Sequence, residues 1–171
     1  DMMLCIADAV IEDKGVDFYN IARHFKEWAN GEPMGIGENT YKVLMMGDYV
    51  ERPFEVSHKV WKMSRYQSAA NGGLMRTSVV GLFPKEVKTC AENICRLTHY
   101  DPRCVGSCVI VSELIHALVY GLEPPTMSMM LNMAQSYDAE ICNYIERSWS
   151  EQNVLNLMDD DHMGYTLVTL S

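Results

Sequence analysis

The chain lacks any apolar run approaching ~18 uninterrupted residues, the length that spans a bilayer as a helix. It also lacks basic excess. Lys and Arg number 14 against 23 Asp and Glu, for a net charge of −9. That excludes nucleic acid as a main partner, because phosphate contacts need a basic face. It argues equally against an anionic membrane surface. None of the six cysteines (Cys5, Cys90, Cys95, Cys104, Cys108, Cys142) stands at C-x-x-C spacing. They read as reduced, small apolar residues rather than a disulfide framework or a zinc set. No alternating strand pattern, internal repeat, linker or low-complexity segment is visible. No signal peptide is visible either, and a cytoplasmic setting is the default.

What remains is helical almost throughout. The length of 171 residues suffices for one domain with a sizeable core. Met3, Leu4, Ala7, Val10 and Ile11 suggest a first helix. Phe18, Ile21, Ala22, Phe25, Trp28 and Ala29 follow the cap candidate Asp17, and Gly31 and Pro33 end that run. Gly35–Thr40 reads as a loop before a helix through Tyr41, Leu44 and Met45. Pro53 and Pro84 each read as opening a helix. Asp101-Pro102 is a strong start signal, and between Val105 and Tyr120 only Glu113 carries a formal charge. A helix apolar nearly all round is a buried one. Met127 to Ile145 reads as one long helix. The prediction is a single all-α unit.

The most informative segment is Asn71-Gly72-Gly73-Leu74-Met75-Arg76-Thr77, with Thr98-His99 beginning 22 residues after Arg76. A glycine pair before an apolar helical run brings bare backbone N–H groups up to a phosphate. Arg76, one turn in, either pairs with the same anion or binds loop carbonyls as a structural arginine. His99 directly precedes the Asp101-Pro102 helix start, and nothing in its neighbourhood in sequence would tune its pKa as a base. Asp159-Asp160-Asp161-His162 invites a metal reading. Adjacent carboxylates point different ways, so a solvated helix start is the better one.

Together, the Asn-Gly-x-x-Met-Arg and Thr-His segments resemble the ADP-ribosylglycohydrolase family. The resemblance covers nearly all 171 residues, most clearly 31–120. It implies an orthogonal multi-helix bundle, of which this chain would be the incomplete middle part. The implied activity is hydrolysis of the glycosidic bond of an ADP-ribosyl group. The implied partner is ADP-ribose or an ADP-ribosylated substrate. It assigns ligand contact to Asn71, Gly72, Gly73, Arg76 and His99, and backbone contact to Gly35 and Gly37. Gly35 stands where members close to the dinitrogenase-reductase-reactivating enzymes carry an aspartate that takes part in the chemistry. The resemblance also implies two magnesium ions, with ligands from motifs that this chain does not contain. The alternatives are an inactive ADP-ribose-binding or structural protein on the same scaffold, and an unrelated helical interaction module.

Overall fold

Capping side chains and apolar stripes dictate where most of the chain turns. In the computed structural model, which describes residues 1–171, ten α-helices and three short 3-10 segments succeed one another with no β-strand. The helices are α1 (Met2–Asp13), α2 (Phe18–Asn30), α3 (Glu38–Leu44), α4 (Pro53–Met63), α5 (Gly72–Thr77), α6 (Val87–Arg96), α7 (Pro102–Val119), α8 (Met127–Gln135), α9 (Glu140–Ser150) and α10 (Thr166–Leu170). Asp17 caps α2 by accepting from Tyr19 N and Asn20 N. Asp101 caps α7 by accepting from Arg103 N, with Pro102 in the first turn.

α7 is the axis of the molecule. It packs against α5, α6, α8, α9, α10 and the 3-10 segment Ser78–Leu82. By length and a mean hydropathy of 1.4 it would suit a membrane span, but its apolar face is spent on these neighbours, as in a core helix. Two glycines permit the closest approaches. A Cβ on Gly81 would lie 2.5 Å from Ile115 Cγ2, and one on Gly106 2.5 Å from Ile141 Cδ1. The largest core cluster joins α1, α2, α4 and α6 around Phe25, Ile21 and Ile94.

Four sequence expectations are corrected. The first helix buries Ile6 and Ala9, whereas Leu4 and Ile11 are 58% and 73% exposed. Two apolar stripes run along α1, and only the packing of α2 against it decides between them. α3 begins at Glu38, so Glu38, Asn39 and Thr40 form its first turn rather than a loop. Pro84 opens no helix. Glu86 takes a left-handed conformation (φ 57°), and α6 starts after it, at Val87. The long helix from Met127 breaks into α8 and α9. There the Asp138 carboxylate accepts from Glu140 N at 2.8 Å and the Ser136 hydroxyl donates to Met133 O at 2.7 Å. Such local bonds compete with the helical ladder, and Tyr137 turns inward, its hydroxyl donating to Glu92.

Candidate functional site

A cavity of about 560 Å³ is lined by the start of α1, Trp28 of α2, the Gly35–Gly37 approach to α3, the first turn of α3, the start of α5, and His99 before α7. Gly35, Gly37, Asn71, Gly72, Arg76 and His99 all line it. Gly73 does not. It is buried behind the wall, where a Cβ would lie 3.1 Å from Cys95 Sγ and 3.3 Å from the His99 ring.

Gly37 is the N-cap of α3, and Gly35 stands exposed, with no atom within 4 Å of where its Cβ would be. Asn71 ties the wall to the C-terminal segment. Its amide nitrogen donates to Met163 O and to Thr169 Oγ1, both at 3.0 Å. Its backbone N–H donates to Gly164 O, beside the one isolated bridge in the molecule, Ala70 with Tyr165. Gly72 then exposes what lies behind it. A Cβ there would come within 3.2–3.4 Å of His99 Cε1, His99 Nε2 and Thr40 Oγ1. The glycine, having no side chain, lets the edge of the buried imidazole lie directly behind the cavity wall.

Arg76 is 3% exposed and turned inward. Its guanidinium donates to Gly72 O (3.4 Å), Ile94 O (3.1 Å) and Cys95 O (3.3 Å) and lies 4.9 Å above the Phe25 ring. These are the carbonyl bonds of a structural arginine. No carboxylate neutralises it, and burial lowers its pKa. His99, 1% exposed, places Nδ1 2.7 Å from Thr98 Oγ1, and its Nε2 has no hydrogen-bond partner. Burial first, and the Arg76 charge second, hold its pKa well below the ordinary 6.5. The ring is therefore neutral at pH 7.

Other contributors were not legible in advance. The Asn39 side chain bridges two walls: its amide nitrogen donates to Thr98 O (2.9 Å) and its amide oxygen accepts from Ser68 Oγ (2.8 Å). Trp28, read from its spacing as core, lines the cavity, as do Met75 and the carboxylate-bearing Asp1 and Glu38. Lys42 pairs with Glu38 at 2.5 Å and holds its carboxyl below the usual range. A second cavity of about 460 Å³ adjoins, sharing Glu38, Asn39 and Ala70 and floored by Met46, Val60 and Met63.

No group of three or more His, Cys, Asp or Glu side chains converges as a metal site. Asp159 instead caps a 3-10 turn, Asp160–His162, and its carboxylate receives both the backbone N–H and the ring of His162. All six cysteines are free thiols.

Comparison with curated proteins and with solved structures gives no match. A model of the ADP-ribosylglycohydrolases matches residues 1–170, and the all-α architecture agrees with that fold. The chain belongs to the ADP-ribosylglycohydrolase family.

Proposed function

We propose that the protein binds the ADP-ribosyl group of a modified substrate in the paired cavities and that this binding serves hydrolysis of its glycosidic bond. The carrying observation is convergence. Gly35, Gly37, Asn71, Gly72, Arg76 and His99, far apart in sequence, all line one cavity. The two cavities, about 560 and 460 Å³, lie side by side and share the lining residues Glu38, Asn39 and Ala70, and together they offer room for an extended dinucleotide-like ligand. Arg76 supplies a positive charge with no counter-ion beside that space, in a chain of net charge −9. Glycosidic cleavage passes through an oxocarbenium-like state and is usually served by carboxylates. Asp1 and Glu38 are the carboxylates on the wall of the first cavity.

The magnesium ions that family resemblance implies do not fit the residues present, since no three ligand-type side chains converge. The reading therefore rests on the binding half of the site. A second reading, an ADP-ribose-binding protein without hydrolytic activity, is favoured by Gly35. The space around it is open, so packing does not impose the missing carboxylate.

Calorimetry with ADP-ribose tests the proposal. Gly72→Val pushes a side chain against the His99 edge and is expected to weaken binding at least tenfold, about 1.4 kcal/mol. Unchanged affinity in a folded variant would sink the assignment. Release of ADP-ribose from a modified substrate, with and without magnesium, separates hydrolase from binder.

A further inference from the structure

Thr98 and His99 are buried side by side, each 1% exposed. The only hydrogen-bond partner of Thr98 Oγ1 is His99 Nδ1, at 2.7 Å. The Thr98 carbonyl is taken separately by Asn39. This isolation decides where the ring proton sits. A hydroxyl carries one proton, and a neutral imidazole carries one proton on one of its two nitrogens. With the proton on Nδ1, the ring would donate to Oγ1, and the hydroxyl's own proton would be buried with no acceptor. With the proton on Nε2, the hydroxyl donates to Nδ1 and both atoms of that bond are satisfied. The first arrangement leaves two groups unpaired, the hydroxyl proton and the Nε2 lone pair, whereas the second leaves only the Nε2–H. Buried polar groups are rarely left unpaired, so the second arrangement prevails. Burial beside the Arg76 charge disfavours the doubly protonated ring. The remaining N–H, on Nε2, has no partner in the protein and lies behind Gly72 at the cavity wall.

We propose that Thr98 is a positioning residue that locks His99 as its neutral Nε2–H tautomer, making His99 a fixed hydrogen-bond donor to an oxygen of the bound ligand and not a base. The ligand half of this statement rests on the ADP-ribose reading above; the tautomer half does not. With Nδ1 occupied by the Thr98 hydroxyl and Nε2 protonated, the ring offers no free lone pair to take a proton from water. The base for hydrolysis must be another group. Asn39 completes the device. It is held between Ser68 Oγ and Thr98 O, and it fixes the backbone from which the Thr98 hydroxyl reaches the ring.

Nitrogen-15 NMR of the histidine rings tests the two halves separately, with the His99 signals identified by their loss in His99→Gln. The wild-type spectrum is expected to show His99 protonated at Nε2. The pattern should persist in Thr98→Ser, which keeps the hydroxyl, and change in Thr98→Val, which keeps only the shape. A wild-type ring protonated at Nδ1 overturns the proposal whether or not any ligand binds, and this measurement stands even if Thr98→Val fails to fold. On titration with ADP-ribose the Nε2 resonance should shift. Affinity should fall about tenfold in Thr98→Val and return in Thr98→Ser, as for a hydrogen bond that depends on a held donor. Binding by calorimetry with an unmoved Nε2 signal overturns the donor role. No binding to the wild type defeats the functional reading and the ligand half with it, while the tautomer result is unaffected.

Discussion

Around Arg103 each guanidinium edge meets a carboxylate or a hydroxyl; around Arg76 every partner is a backbone carbonyl. Arg103 grips Asp101 through two bonds of 2.9 Å and reaches Glu140 Oε2 (3.4 Å) and Tyr165 Oη (3.2 Å), while Trp61 Nε1 donates to the same Asp101 at 3.0 Å. Its pKa is raised by the Asp101 bonds. Arg76 is more deeply buried, has no carboxylate within hydrogen-bond reach, and leaves Nε unpartnered. In the first region the Arg103 charge is fully compensated by Asp101 and Glu140, and the network ties the start of α7 to α9 and to Tyr165, just before α10. The second keeps an uncompensated charge beside the cavity. A buried charge without a counter-ion costs stability, and here only carbonyl bonds offset that cost.

The comparison breaks most readily at Arg103. Arg103→Met leaves the buried Asp101 carboxylate with only the Arg103 N–H and the Trp61 indole. Breaking one side of a buried ion pair is expected to lower stability by about 3 kcal/mol. Denaturant unfolding measures it. A loss near zero would mean that the Arg103 network is ornamental, like most exposed pairs.

The contrasting variant is Arg76→Met. Thr98 N donates to Cys95 O rather than to Ile94 O, so Arg76 is the only partner seen for Ile94 O beyond the helix. Orphaning that carbonyl costs about 1–3 kcal/mol, but removing an unpaired buried charge returns a similar amount. Stability should therefore stay within about 1 kcal/mol of wild type, while ADP-ribose affinity falls about tenfold, or 1.4 kcal/mol. Large destabilisation would place Arg76 with Arg103 as a fold-holding residue.

The two regions also differ in how far they could be read from sequence. The start of α7 was legible because Asp101-Pro102 is a local signal; the Arg103 network around it was not, because Trp61, Glu140 and Tyr165 lie far along the chain. The breadth of the core and the all-α class were legible from helical periodicity. The cavity was legible only in outline. The family resemblance names Gly35, Gly37, Asn71, Gly72, Arg76 and His99, which line the cavity, and Gly73, which lies one layer behind it. Adjacent helical residues point about 100° apart, and only the packing of α6 behind α5 shows which glycine faces out. Asn39 escaped because its two bonds join residues 29 and 59 positions away. No window of sequence contains such a bridge. The choice between two apolar stripes on α1 failed for the same reason.

The smallest effect expected is one of pH, and it belongs to the Arg76 side alone. His99 is neutral in the fold, with its pKa held well below 6.5 by burial and by Arg76. In the unfolded chain it titrates near 6.5. Between that value and the lower folded one, the unfolded state binds a proton that the folded state refuses. Stability rises with pH wherever the unfolded state binds more protons, so His99 makes the protein less stable as pH falls below about 6.5. The slope is at most about 1.4 kcal/mol per pH unit. Other groups titrate over the same range, so the quantity to measure is the difference between wild type and His99→Gln in urea unfolding at about pH 7 and about pH 5.5. Wild type should lose about 1 kcal/mol more than the variant across that interval. Equal losses would mean that the imidazole accepts a second proton in the folded state. The contrast between a clamp whose cation is compensated and a site that excludes further positive charge would then fail at its most sensitive point.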